Sequence, residues 1–392
     1  HFMKIENIIT SLLLGFVGFS AMSQQLVRPV ITGAPFLQIV PDARAGGLGE
    51  SGVSTLPDAY AQFHNPAKFL FLQEGARGFG MSYIPRFIGY ANDIFYANAG
   101  YYQKLNERSA ISGSLTYFNY GNVDVEEQMG DQIINQGSFA PNEFAIEGAY
   151  SLKLNDKFGM SVTGRYIRSD ISDNQYNSSI NYITGQAVSV DVSGYYTSVP
   201  FNLHQNRWTL GFNLKNIGSK LKYADNGFDY FLPTYLKVGG GYHIASSGKD
   251  NLSFYAEAMK FLVPATDDQY NLPTNSAIGG IFSSFTDAPD GFSEELKEIL
   301  FSFGSELKFH ENFTLRAGYL TQHKDKGYNN HITVGAGLNW NQFMVDFAYQ
   351  SPITDYVVLR EDKVLKLSLT YKFDKQTVAN PIDSEPIENE LN

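Results

Sequence analysis

From Gly78 to Phe373 the chain repeats one device: about ten residues of alternating apolar and polar positions, then a break. Phe158, Met160, Val162 and Tyr166 share one face, with Ser161, Thr163 and Arg165 on the other. Trp208, Leu210, Phe212 and Leu214 oppose Thr209, Gly211, Asn213 and Lys215. Leu365, Leu367, Leu369, Tyr371 and Phe373 oppose Lys366, Ser368, Thr370 and Lys372. Side chains alternate sides along a strand, so each segment has one apolar and one wet face. The pattern predicts about fourteen strands, near 78–84, 93–102, 109–120, 143–152, 157–168, 186–198, 206–217, 234–244, 250–260, 299–308, 313–322, 331–340, 343–350 and 364–373.

The breaks also alternate. Asn155-Asp156, Ser246 to Lys249, Glu311-Asn312 and Asn341-Gln342 are tight polar turns. Between them lie long segments: Gly121–Asn142, Ser169–Gly185, Gly218–Pro233, Phe261–Glu298 and Ser351–Lys363. Short turns on one side and long loops on the other are the habit of outer-membrane barrels. The fold class expected is therefore all-β, a transmembrane barrel of about 14 antiparallel strands. An even count sends both termini to the periplasm and the long loops outside. A soluble β-sandwich also alternates, but its outward faces would be polar, whereas these carry Phe, Leu, Trp and Tyr in strand after strand. The wet faces carry Glu147, Arg165, Lys215, Lys237, Glu257, Glu306, Arg316 and Asp346, charges that either neutralise one another or line a channel.

Ala34 to Leu72 breaks the pattern. Gly, Pro, Asp and Ala are frequent and apolar residues follow no fixed period, which predicts compact irregular backbone. Such backbone is tolerated at membrane depth only inside protein or a wet cavity. Residues 24–77 are therefore expected to form a hatch in the lumen of a barrel spanning 78–373. Ahead of it, Lys4 leads into an apolar run from Ile8 to Phe19, and Ala21-Met22-Ser23 supplies small residues, as in a secretory signal over 1–23. Residues 374–392 are polar and acidic and predict a disordered periplasmic tail.

Composition sharpens this picture. Of 392 residues, 15% are aromatic and only 18% charged, with 25 Tyr, 30 Phe and 36 Gly. No run reaches the roughly 20 apolar residues of a spanning helix. A net charge of −11 argues against a nucleic-acid partner, and zero cysteines exclude disulfides and thiolate metal sites. Gly47-Leu48-Gly49-Glu50-Ser51-Gly52 fits G-x-G-x-x-G, but no βαβ unit surrounds it; tight backbone packing accounts for it better. No nucleophile elbow, Walker A run or H-E-x-x-H occurs, and the seven histidines show no metal-ligand spacing. His64, beside Asn65, is the one histidine to inspect. No catalytic, cofactor-binding or metal-ligating residue is assigned.

The long segment Phe261–Glu298 contains Phe282, Phe285 and Phe292, with Ser293 as a candidate helix cap before Glu294 and Glu295. Tyr223, Phe228, Tyr230, Phe231 and Leu232 form a second aromatic loop. These rings either fold over and close the barrel mouth or display a docking surface.

Three blocks carry a family resemblance: Ile31-Thr32-Gly33-Ala34-Pro35-Phe36-Leu37, then Pro41-Asp42-Ala43-Arg44-Ala45-Gly46-Gly47-Leu48-Gly49, then Asn65-Pro66-Ala67-Lys68. Together with Gly280 to Pro289 and Gly291 to Leu296, they resemble the PorV family, outer-membrane components of type IX secretion. The Asn-Pro-Ala element is also similar to the hatch of FadL-like transporters. The resemblance implies a non-enzymatic protein that binds the C-terminal signal domain of secreted cargo at a large translocon and carries it to the sortase and attachment complex. Outer-membrane lipid and lipopolysaccharide are implied surroundings. It assigns partner contacts to the external loops, hence Phe282, Phe285, Phe292, Tyr230 and Phe231. It assigns the hatch to Arg44, Gly46, Gly47, Gly49, Asn65 and Pro66. The alternatives are a FadL-like transporter of hydrophobic small molecules and a surface lipid hydrolase built on a Ser/His/acid geometry.

Overall fold

The computed structural model describes residues 30–87, 93–129, 132–171, 181–199, 205–245, 251–266, 271–287, 291–309, 312–323, 326, 330–353 and 363–373. The expected leader (1–23), the acidic tail (374–392) and the turn at 246–249 lie outside them.

Fourteen antiparallel strands close into a barrel. In chain order they are β1 (Arg77–Pro85), β2 (Ile94–Lys104), β3 (Ser109–Tyr120), β6 (Asn142–Asn155), β7 (Phe158–Asp170), β8 (Gly185–Thr197) and β9 (Arg207–Gly218), then β10 (Tyr235–Ala245), β11 (Asn251–Phe261), β12 (Leu300–Phe309), β13 (Phe313–Thr321), β14 (His331–Trp340), β15 (Phe343–Pro352) and β16 (Val364–Lys372). Each strand pairs with its neighbours in that order, and β1 closes on β16 from Gly78↔Lys372 to Tyr83↔Leu367. The period-two pattern predicts these strands to within a few residues at each end.

One segment departs from the expectation. Gly121–Asn142, read as a plain long loop, contains a separate hairpin of β4 (Val123–Met129) and β5 (Gln132–Phe139) that joins no barrel strand. Its sequence shows no sustained apolar alternation, so periodicity gives no signal there.

The outer wall reads as a membrane surface. Leu210, Val238, Phe303, Leu315, Val334, Val345 and Leu367 are exposed around it. Aromatic rings gather at both ends. Trp208 packs on Tyr242 and Phe343 on Tyr371 at the short-turn end; Tyr83 packs on Phe95 and Phe144 on Tyr166 at the long-loop end. An apolar band between two aromatic girdles is what a barrel needs to sit between two interfaces.

The lumen is occupied. Residues 34–72 make contacts with inward side chains of β3, β6, β9, β11, β12 and β16, which surround the segment on all sides. The backbones approach closely where the wall carries glycine. A Cβ added at Gly318 would lie 2.1 Å from Gly49 N, and one at Gly211 2.1 Å from Val53 O.

Candidate functional site: the filled lumen and the loop cap above it

Inside the lumen, irregular backbone is held by side chains chosen for its unmet hydrogen bonds. Asp42 caps the short helix Ala43–Gly46 by accepting from Ala45 N, and its other oxygen bonds His64 Nε2 at 2.7 Å. Asn65 caps the 3₁₀ turn Pro66–Phe71 through Ala67 N, with Pro66 at the first position where no N–H is needed. Its amide also donates to Val53 O and Gly194 O, and Pro66 O accepts from Ser151. One residue thus stitches two stretches of the inserted segment to strand β8, which explains the Asn-Pro-Ala element chemically.

Charge does the rest. The Arg44 guanidinium grips Glu306 with Nε at 3.0 Å and Nη2 at 2.9 Å, and Asp58 with Nη1. Glu306 also accepts from Arg316 at 2.7 Å, and Arg316 reaches on to Asp346 at 2.6 Å. Glu257 takes Gly52 N and Ser54 N, both at 2.9 Å, and pairs with Lys237. Lys215 donates to Phe63 O at 2.7 Å, with its ammonium over the Phe63 ring. A second group ties wall strands together: Arg165 bonds Glu147 from β6 and Asp191 from β8. These are the charges predicted on the wet faces, and they neutralise one another across the lumen. Buried ions need partners with well-formed geometry, and here each contact between wall and insert supplies one.

Gly46, Gly47 and Gly49 line the same contact. Gly46 faces Lys366 and Ala348, Gly47 faces Gly335, and Gly49 adopts φ +64° against the carbonyls of Tyr319 and Phe303. The G-x-G-x-x-G match is therefore close packing against the wall. The Asp42–His64 pair is closed off as well: a Cβ at Gly52 would lie 2.2 Å from His64 Nδ1, so backbone occupies the place a nucleophile would need. Among the described residues a second buried histidine, His243, bonds Thr209 and Ser253.

The cap lies at the long-loop end. Helix Ala277–Ser283 is capped by Ser276 and exposes Ile278 and Phe282, the latter 72% exposed, with exposed Phe285 just beyond. Helix Phe292–Lys297 begins after Gly291 at φ 69°, so Ser293 sits in its first turn and is not the cap expected from sequence. A glycine takes that place because the entering backbone is left-handed. The side chain of Phe292 is outside the described residues. Below this helix, Lys260 pairs with Glu295 and Glu298, and Lys326 with Glu294 and Glu298. Asp287, Glu295 and Glu298 bring carboxylate oxygens within 4.8 Å of one another. With two ammonium groups already on Glu295 and Glu298, the cluster is an ionic clamp and not a cation site.

Tyr230 and Phe231 follow the first of the two readings for the second aromatic loop, folding over the barrel mouth. Phe231 is 4% exposed, lies under Gly280 of the cap and beneath the Lys220 ammonium, and lends its carbonyl to Gly33 N. Tyr230 is half-buried, packs at a tilt against Tyr223 and pairs with Leu221 through backbone bonds. Both close the mouth. Phe228, in contrast, is exposed.

A closed 14-strand barrel with an apolar belt and a filled lumen defines an integral outer-membrane protein of FadL-like architecture. The solved structures agree on the fold. The P. putida toluene transporter TodX is similar at a TM-score of 0.53 and 11% identity, over 84% of this chain and 97% of that one. The TodX monoaromatic hydrocarbon channel deltaS2 mutant gives 0.52 and 11%, over 84% and 98%. No curated protein matches this chain. The family model "Type IX secretion system protein PorV" matches residues 21–268, and the chain belongs to that family.

Proposed function

We propose that this protein is a non-enzymatic carrier of type IX secretion. Residues 24–77 act as a fixed hatch, and the long loops, facing outside, bind the translocon and the C-terminal domains of cargo before delivery to the sortase and attachment complex. The observation that carries this reading is the apolar surface of the cap. Ile278 and Phe282 on a short helix, and Phe285 just beyond it, stand exposed while the neighbouring Phe231 is buried beneath. Exposed rings on a supported element are the usual anchors of a protein interface.

The test is capture from membranes of the native host by affinity-tagged protein, followed by mass spectrometry. Phe282→Asp combined with Phe285→Asp is expected to lower recovery of a very large outer-membrane protein and of secreted proteins at least tenfold, with the barrel still folded. Unchanged recovery with the double variant overturns the docking assignment. A second reading, passage of hydrophobic small molecules, draws on the apolar-walled cavity above the inserted segment. Against it stand the buried bonds that hold the inserted segment to the wall, Arg44 to Glu306 and Gly52 N to Glu257. Uptake of toluene into vesicles carrying the purified barrel, above the rate of empty vesicles, would move the assignment to transport.

A further inference from the structure

At the short-turn end the barrel mouth is ringed by cations. Near that end β2 carries Lys104, β6 Lys153, β9 Arg207, β12 Lys308 and β16 Lys372, strands spread around the whole barrel. All share the inward face with residues that touch the inserted segment. Lys104 itself bonds Leu72 O, and Lys153, Arg207, Lys308 and Lys372 lie an even number of residues from Ser151, Thr209, Glu306 and Ser368. No described strand ends there on an inward carboxylate.

Three of these cations are engaged: Lys153 with Asp156, Lys104 with its carbonyl, and Arg207 as well. Lys308 and Lys372 have no ion-pair partner among the described residues, and they lie near enough to repel one another. The carboxylates that attract Lys372, Asp58 and Asp346, are already paired with Arg44 and Arg316. Both lysines are half-buried, so a solute can reach them. Two like charges held close on one face are relieved by an anion that bridges them.

The chain itself brings such an anion to this mouth. Strand β16 runs toward the short-turn end and stops at Lys372, so residues 374–392, which lie outside the described residues, start there. They carry Asp374, Asp383, Glu385, Glu388 and Glu390 against Lys375 alone. Lys308 on β12 is four strands from β16, about 19 Å along the wall. The ten residues from Phe373 to Asp383 can span about 33 Å. A tethered group also acts at an effective concentration of about a millimolar, which lets several weak exposed pairs outcompete free anions.

We propose that Asp383 to Glu390 folds back over the short-turn mouth, its carboxylates pairing with Lys308 and Lys372, and closes the barrel beneath the inserted segment. The strap lies at the opposite end from the cap and shares no residue with it, so it stands whether or not the cap docks a partner.

The chain has no cysteine, so two introduced thiols can be labelled without competition. The experiment places spin labels at Asn312→Cys, on the exposed turn after β12, and at Ser384→Cys. Pulsed electron resonance then reads their separation in the full chain in lipid nanodiscs. In about 0.05 M salt a short, narrow distance component is expected, and about 0.5 M salt should reduce it at least threefold. Lys308→Gln with Lys372→Gln should do the same at low salt, with heat-modifiable mobility confirming a folded barrel. So should a neutral tail bearing Asp383→Asn, Glu385→Gln, Glu388→Gln and Glu390→Gln, which leaves every barrel residue in place. A broad distribution alone in the native chain overturns the proposal, because the tail is then free. A narrow component that survives both sets of substitutions overturns it too, because charge does not hold the tail. Loss with the lysine variants but not with the neutral tail also overturns it, and assigns the two cations to another anion.

Discussion

The inserted segment and the loop cap are both irregular and both contain glycine, but one lies within the barrel and the other over its long-loop end. They are stabilised in opposite ways. The segment is surrounded by wall, so its ions are buried and each is answered by a specific partner, as Arg44 is by Glu306 and Asp58. The cap has wall on one side only. It is clamped from below by Lys260 and Lys326 and leaves its rings outside. Burial on all sides makes a contact hard to exchange, whereas burial on one side leaves a surface free to meet another molecule.

Removing charge from the lumen breaks this contrast most strongly. Glu306→Leu leaves two buried guanidiniums, Arg44 and Arg316, short of a partner. The expected loss is about 3–5 kcal/mol, read as a lower urea midpoint in vesicles, with new trypsin cleavage in residues 30–76. Resistance to trypsin equal to that of the native chain would mean the ion pairs are dispensable for holding the segment.

Gly49→Val comes next. The left-handed φ of 64° and carbonyl oxygens 2.7–2.8 Å from the added Cβ leave it no relaxed conformation. A cost of more than about 1 kcal/mol is expected, again from urea unfolding, and Gly75→Ala is the control: φ is 75° there but no atom lies within 4 Å. Equal losses at both positions would assign the effect to backbone conformation alone and remove close packing from the account.

In the cap the order of effects reverses. Phe282→Asp with Phe285→Asp should change stability by less than about 0.5 kcal/mol, as exposed substitutions do, while partner capture falls. A large stability loss would show that the rings belong to the fold.

The smallest effect concerns pH. Burial disfavours the Lys326 ammonium, but the Glu294 and Glu298 carboxylates outweigh it and hold its pKa above the ordinary 10.5. A raised pKa means the clamp contributes fully below the unfolded lysine value and fades as pH rises through the folded one. Amide exchange in Phe292–Lys297, corrected for the intrinsic rate, is therefore expected to quicken on the alkaline side of 10.5. Lys326→Met should produce the same quickening at neutral pH. A pH-independent corrected rate would remove the clamp from the account.

Much of the architecture is legible in the order of residues. Alternation such as Leu365 to Phe373 marks a strand wherever one face meets lipid and the other meets the lumen. The charges at Glu147, Arg165, Glu257, Glu306 and Arg316 are legible as inward for the same reason. The sequence holds one more such signal: Gly211, Gly304, Gly318 and Gly335 fall within strands at positions where the inserted backbone comes closest. Glycine in a strand marks close approach of another backbone, and these four trace where the segment touches the wall.

The features legible along the chain are local: strand period, strand number, the asymmetry of the turns, and the Asn-Pro cap that starts the turn at Pro66. The hairpin of β4 and β5, the burial of Phe231 and the exposure of Phe282 were decided by tertiary structure. So was the partner of each lumen charge. The physical reason is range. Alternation is read from neighbours two residues apart, while Arg44 finds Glu306 across 262 residues and Lys366 finds Val40 across 326. Only closing the barrel brings such residues within reach, and that closure also determines which rings are covered and which remain outside.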